Sequence, residues 1–254
     1  MVGAAGSGHP GGSLSATEIV TALYFHIMKH DPKNPEWPER DRFVLCKGHA
    51  APVLYAALAE AGYFDPAELN TLRKFGSILQ GHPDRKRTPG VEVSTGSLGQ
   101  GLSIANGLAL AAKLNGEKHR IFALLGDGEI QEGQVWEAAM TAAHRGLDNL
   151  VAYIDNNNLQ IDGDVREVKG LTNIPARWEA FGWHVQEIDG HDLAAIIAAT
   201  EKALAVTGQP SVIVCRTIKG KGVDFMEGQA DWHGKAPNAE QLAEALRQLQ
   251  RRGK

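Results

Sequence analysis

The residues best placed to do chemistry are an acid and an amide at the ends of two apolar runs. Gly126-Asp127-Gly128 follows the run 121–125, and Asn157, in Asp155-Asn156-Asn157-Asn158, follows the run 150–154. One helix between the runs makes this a βαβ unit. Both side chains then stand at the carboxyl ends of parallel strands, where open α/β sheets bind their ligands. A carboxylate and an amide carbonyl are hard oxygen donors suited to Mg²⁺, which keeps water and takes phosphate oxygens as further ligands. The two glycines would let a diphosphate approach bare backbone. Asp-Gly and Asn-Asn are also common turn residues, so spacing alone leaves two ordinary βα turns equally open.

The elements that must position these residues follow from the apolar pattern. Strands are expected at 43–45, 121–125, 150–154, 184–188 and 211–215, several of them apolar almost throughout, as central strands covered on both faces are. Ser15-Ala16-Thr17-Glu18 reads as a capping box ahead of Ile19, Ala22, Leu23 and Ile27. Asp65-Pro66-Ala67-Glu68 reads as a helix start, residues 131–145, 192–205 and 239–251 as helices, and 96–101 as the opening of a helix rich in small residues. Strands alternating with helices predict a three-layer α/β/α fold around a mainly parallel sheet. No internal repeat or low-complexity linker interrupts residues 1–254, so one domain is expected.

Composition narrows the classes. Of 254 residues, 43% are hydrophobic and 22% charged, which excludes a disordered or fibrous chain. Lys plus Arg number 26 against 30 Asp plus Glu, a net charge of -4 that gives no electrostatic case for nucleic acid or an anionic membrane. Cys46 and Cys215 lie too far apart in the chain for a Cys-x-x-Cys pair, which suits a reducing compartment and argues against structural zinc. No apolar run is long enough for a transmembrane helix, and the start has neither the basic segment nor the apolar core of a signal peptide. A cytoplasmic location is expected. Glycine is concentrated: 17 of the 29 fall within 3–12, 90–107, 126–133 and 220–234. Loops of that kind bring backbone close to something, such as a diphosphate.

Gly-Asp-Gly followed by asparagine at this distance resembles the metal and diphosphate motif of thiamine diphosphate enzymes. Further motifs occur in transketolase order: Gly6-Ser7-Gly8-His9-Pro10-Gly11-Gly12, Lys47-Gly48-His49-Ala50, Gly81-His82-Pro83, Thr95-Gly96-Ser97-Leu98-Gly99-Gln100-Gly101 and Asp231-Trp232-His233-Gly234-Lys235-Ala236-Pro237. The chain resembles the N-terminal, diphosphate-binding half of transketolase in its split form. The resemblance implies thiamine diphosphate and Mg²⁺ as cofactors, with Asp127, Asn157 and the Leu159 carbonyl holding the metal. It places Gly128 and His49 at the diphosphate and Gly96, Ser97 and Leu98 against the cofactor. It implies that His9 and His233 touch substrate and share proton transfers, with His82 near the substrate hydroxyls. Imidazole suits that work because it titrates near neutrality. Glu132 matches a glutamate at the family's dimer interface; a solvated or helix-start glutamate is the equal alternative. His26, His30, His119, His144, His184 and His191 are read as structural.

The resemblance also implies what must come from elsewhere. The glutamate that activates thiamine diphosphate belongs to a pyrimidine-binding domain outside these residues. A C-terminal transketolase subunit is therefore the expected partner, in a heterotetramer of two plus two chains. The implied reaction, in the pentose phosphate pathway, moves a two-carbon ketol unit from xylulose 5-phosphate to ribose 5-phosphate or erythrose 4-phosphate. Ketol transfer on a sulfo- or branched-chain sugar phosphate is a second reading. The third is a catalytically silent interaction subunit. The α-subunit of a 2-oxoacid dehydrogenase shares the Gly-Asp-Gly and Asn motif, but the four motif histidines and Trp232-His233-Gly234 argue against it.

Overall fold

Successive residues of a strand point to opposite faces, and here both faces are apolar. Phe122, Leu124, Val151, Tyr153, Ile213 and Cys215 enter one core, whereas Ile121, Ala123, Leu125, Ala152, Ile154, Val212 and Val214 enter another. Two cores divided by one sheet make three layers. The computed structural model describes residues 1–252. In chain order its strands are β1 (Arg42–Leu45), β2 (Ile121–Gly126), β3 (Leu150–Asn156), β4 (Leu159–Gln160), β5 (Gly163–Asp164), β6 (His184–Asp189) and β7 (Ser211–Arg216). β4 and β5 pair as a short antiparallel hairpin, while the other five form a sheet in the order β1-β2-β3-β7-β6, parallel throughout. The α/β class and all five expected strands are therefore present.

One face is covered by helices Thr17–Ala22, Ala51–Ala61 and Leu193–Ala205, the other by Gln100–Leu114, Gly133–His144 and Ile174–Ala180. Covering a sheet on both sides is what allows β2 and β3 to be apolar nearly end to end. β6 lies at the sheet edge and is only partly buried, which explains its polar Gln186 and Glu187.

Several helix boundaries differ from the sequence pattern. Ser15 is not a helix cap: it ends the helix Pro10–Ser15, and its hydroxyl donates to Asp155 Oδ2 at 2.5 Å. The hydroxyl is engaged as a donor to a buried carboxylate, a charge-assisted bond, and does not turn to accept the free N–H groups that open the next helix. Leu23–Ile27, expected to continue the helix, forms a π turn. Asp65 does cap its segment by accepting from Ala67 N, but Pro66–Thr71 is 3₁₀. The expected helix 131–145 begins only at Gly133, because Glu129–Gln131 is a separate 3₁₀ turn and Glu132 is extended. The helix opened by 96–101 starts at Gln100, with Gly99 left-handed. Ala51–Ala61 matches no expected element. Eight of its eleven residues are buried, so it lacks the two-faced pattern by which surface helices are read.

Candidate functional site

The carboxyl ends of β2, β3 and β7 converge on a cavity of about 240 Å³. Its lining includes His49, Leu98, Asp127, Gly128, Glu132, Asn157, Leu159 and His233. Eight of the residues predicted from sequence are thus brought to one place by elements far apart in the chain. A larger cleft of about 810 Å³ lies by the amino ends of β1 and β2, lined in part by Asp41, His119 and Arg120. It holds none of the predicted residues.

The imidazoles of His9, His49 and His233 form a triangle, with ring centroids 5.3 Å apart for His9–His49, 5.5 Å for His9–His233 and 4.9 Å for His49–His233. His82 is 6.5 Å from His9. His9, His82 and Gly96 stand beside the cavity without lining it, and a Cβ on Gly96 would come within 3.0 Å of the His82 ring. Ser97 is exposed and also lies outside the lining. The remaining histidines stay apart from this cluster. His30 bridges the Tyr24 carbonyl and the Tyr63 hydroxyl, and His191 contacts Glu18.

Beneath the imidazoles is a buried polar floor that the motifs alone do not reveal. Asp155, fully buried, accepts from Lys47 Nζ, from Ser15 Oγ, from Asn157 Nδ2 at 3.2 Å and from Thr217 Oγ1. Lys47 also donates to the Gly12 carbonyl at 2.8 Å. Lys219 Nζ donates to the Leu159 carbonyl at 3.1 Å and to His233 Nδ1 at 2.9 Å. Glu129 fastens two loops, accepting from Gly99 N and Gly126 N, each at 3.1 Å. At the outer edge Arg73 donates to Ser7 Oγ at 2.7 Å and reaches His9 Nδ1 at 3.4 Å.

These contacts set the charges. Burial first, then Arg73, His82 and Lys219, lowers His9 to about 4. Burial and Lys47 lower His49 to about 2, and burial and Lys219 lower His233 to about 3. All three rings are neutral at pH 7. Because Lys219 donates to its Nδ1, His233 carries its proton on Nε2. Lys219 is itself lowered to about 8 by burial and by Lys47, against the attraction of Asp127 and Asp155, and so remains mostly charged at neutral pH. Burial and the neighbouring Asp155 push Asp127 up to about 7.

Asp127 accepts from Gly128 N at 2.8 Å and from Asn158 N, while Asn157 Oδ1 accepts from Leu159 N at 3.1 Å. Carboxylate, amide and peptide oxygens each keep a second lone pair, so the three remain competent donors to a hard cation. A carboxylate pushed up by burial beside another carboxylate is where added positive charge gains most. The donor set therefore fits Mg²⁺. No group of three or more His, Cys, Asp or Glu among the described residues forms a metal cluster. Any ion here would rest on the mixed oxygen set.

Two glycines of the motifs serve the protein's own packing. A Cβ on Gly48 would lie 2.8 Å from Gly96 N, and one on Gly101 would lie 2.5 Å from Cys46 Sγ. Both join the loop after β1 to the segment that opens the helix Gln100–Leu114. Gly12 meets nothing closer than 3.6 Å and faces the cavity openly.

The family model for the transketolase thiamine diphosphate-binding domain matches residues 1–251. The chain belongs to this transketolase family. The 6-deoxy-6-sulfo-D-fructose transketolase subunit SqwG of Clostridium sp. (strain MSTE9) is 50% identical over 252 residues, which cover 99% of this chain and 92% of that one. An apulose-4-phosphate transketolase subunit of Phocaeicola vulgatus is 46% identical over 97% of this chain and 87% of that protein. The crystal structure of transketolase from Campylobacter jejuni superposes with a TM-score of 0.92 at 38% identity. That match covers 98% of this chain but 40% of that one. The transketolase fold is thus retained in a chain that spans less than half of such longer relatives.

Proposed function

We propose that this chain is the N-terminal subunit of a split transketolase, one diphosphate-binding unit that acts with a C-terminal transketolase subunit. The carrying observation is the convergence of Asp127, Asn157 and the Leu159 carbonyl on the cavity that His49 and His233 also line. When bound, thiamine diphosphate supplies the covalent chemistry of ketol transfer. Asp127, Asn157 and Leu159 would hold Mg²⁺, with Gly128, His49 and Leu98 around the diphosphate end and Gly96 and Ser97 on the adjoining loop. His9 and His233 hold and pass protons at the substrate, and His82 orients its hydroxyls. The neutral rings found here can each donate at one nitrogen and accept at the other.

A partner is supported by the open rim of the site. Leu98 and Ile161 line the cavity yet are 37% and 68% exposed, and Glu132 beside them is exposed as well. Apolar rim residues of this kind gain by being covered. Two relatives are named as subunits, which supports a separate partner chain; the assembly proposed is a heterotetramer of two plus two. Among the described residues no helix is long and apolar enough to cross a membrane. Both cysteines are free and buried, which suits the reducing, cytoplasmic setting proposed.

For substrate, a modified sugar competes with the ordinary pentose phosphates. The 50% identity to the sulfofructose subunit, against 44–47% to the longer transketolases, favours it, while the apulose-phosphate subunit at 46% is no nearer than those. The test is to titrate Mg²⁺ and thiamine diphosphate into the chain mixed with its partner, then assay xylulose 5-phosphate, 6-deoxy-6-sulfofructose and apulose 4-phosphate as donors. Asp127→Ala should reduce cofactor affinity at least tenfold. Binding unchanged by that substitution would favour a silent interaction subunit, and full activity of the isolated chain would remove the split-subunit reading.

A further inference from the structure

His191 lies in the turn Asp189-Gly190-His191-Asp192 between β6 and the helix Leu193–Ala205, and its side chain is 12% exposed. Its Nε2 accepts the backbone N–H of Ile218 at 2.9 Å, and its Nδ1 lies 3.0 Å from Glu18 Oε2. An acceptor nitrogen needs a free lone pair, so the ring proton sits on Nδ1 and is donated to Glu18. One tautomer satisfies both contacts. The residue it grips is flanked by two that build the site. Thr217 donates its hydroxyl to Asp155, and Lys219 donates to Leu159 O and to His233 Nδ1. The turn is also fastened to the same stretch through Gly190 N, which donates to Arg216 O at 2.8 Å. It packs there so closely that a Cβ on Gly190 would lie 2.5 Å from Thr217 Cγ2.

We infer that His191, held by Glu18, is a positioning residue that fixes the 217–219 segment, so that Lys219 keeps His233 in its Nε2–H form. Beyond Arg216 the ladder ends; backbone bonds hold the segment at Thr217, whose N–H donates to Asn156 O at 3.2 Å, and at Lys219, whose carbonyl accepts from Gly228 N at 3.0 Å, and His191 supplies the acceptor for the peptide N–H between them. His191 touches neither cavity nor substrate. Its effect reaches the site through one peptide N–H and the lysine next to it. The inference rests on the proposed reading that His233 and Lys219 face cofactor and substrate.

The test is nitrogen-15 NMR of the full chain labelled at histidine. Wild type should show His191 with its proton on Nδ1 and His233 with its proton on Nε2. In His191→Leu the His233 signals should move toward a mixture of both tautomers. His191→Gln, whose amide oxygen can accept from Ile218 N, should restore the single form. In parallel, with the partner subunit present, Mg²⁺–thiamine diphosphate affinity should fall about tenfold in the leucine variant, the scale of one hydrogen bond, and stay within about twofold of wild type in the glutamine variant. A wild-type His191 protonated on Nε2 overturns the inference without any variant. So does a His233 signature unchanged by leucine, or one lost equally in the glutamine variant. If no variant binds the cofactor, wild type included, the functional reading fails while the His191–His233 coupling is still decided by the spectra.

Discussion

Replacing Lys47 by methionine isolates the buried pair on which the site rests. Lys47 and Asp155 have side-chain exposures of 2% and 0%. Burial pushes the Asp155 carboxyl up, but Lys47's charge and the hydrogen bonds of Lys47, Ser15 and Thr217 hold it below the usual range. Methionine matches the length of the lysine stem but leaves a buried carboxylate with only neutral donors. Removing one partner of such a pair costs about 3–5 kcal/mol. Asp155→Asn should cost a similar amount, since it leaves the buried ammonium with neutral acceptors only, the Gly12 carbonyl and the amide oxygen, and no counter-charge. The double variant, with neither charge, should lose about 3 kcal/mol less than the sum of the singles, at the upper end of coupling for contacting residues. For a chain of this size each kcal/mol lowers Tm by about 2–4 °C, so each single variant should melt roughly 10 °C lower. Urea denaturation followed by far-ultraviolet circular dichroism supplies the free energies. Single losses under 1 kcal/mol that simply add would refute the argument that charge pairing organises this floor.

Three other perturbations follow from the site's charges and from the packing beside it. Because His9, His49 and His233 are held near 4, 2 and 3 in the fold, the unfolded chain takes up protons first as pH falls below about 6.5. Stability should therefore decline from pH 6.5 toward 4, and thermal melting of His49→Asn should show a shallower decline than wild type. Gly101→Ala should destabilise by about 1–3 kcal/mol because its methyl meets Cys46. Gly107→Ala, in the same helix with nothing within 4 Å, should stabilise the isolated chain by about 0.5–1 kcal/mol.

The legible part of this protein is what local chemistry dictates. β2 and β3 announce themselves because residues 121–125 and 150–154 are apolar without interruption, and the acid and amide follow at the strand ends. The polar floor was harder to read because lysine is ordinarily exposed, so Lys47 and Lys219 carry no local sign of burial. A signal did exist: Lys47, Asp127, Asp155 and Lys219 each follow an apolar strand run within a few residues, at the edge where the parallel sheet must present its ligand groups. Ser15 shows the opposite failure. A good capping pattern lost to Asp155, a partner 140 residues away that no window on the sequence could contain.

The electrostatics of the site point to the charge of what it binds. Lys47 is matched by Asp155, but Lys219 and Arg73 face three neutral imidazoles and help to keep them neutral. An anion entering this space would reverse the sign of that influence. At about 5 Å and an effective dielectric of about 20, one unit charge contributes roughly 3 kcal/mol, or about 2 pKa units before screening. His9, the least buried of the triangle and the one joined to Arg73, should respond most. Sulfate is a suitable probe because it does not itself titrate near neutrality. In histidine-detected NMR at constant ionic strength, replacing chloride by sulfate should raise the His9 midpoint from about 4 by 1–2 units and that of His233 by less. The exposed His144, at the far end of its helix, serves as the internal reference. Equal displacement of all histidines, or none, would mean that these cations organise the protein's own loops and do not prepare the site for an anionic ligand.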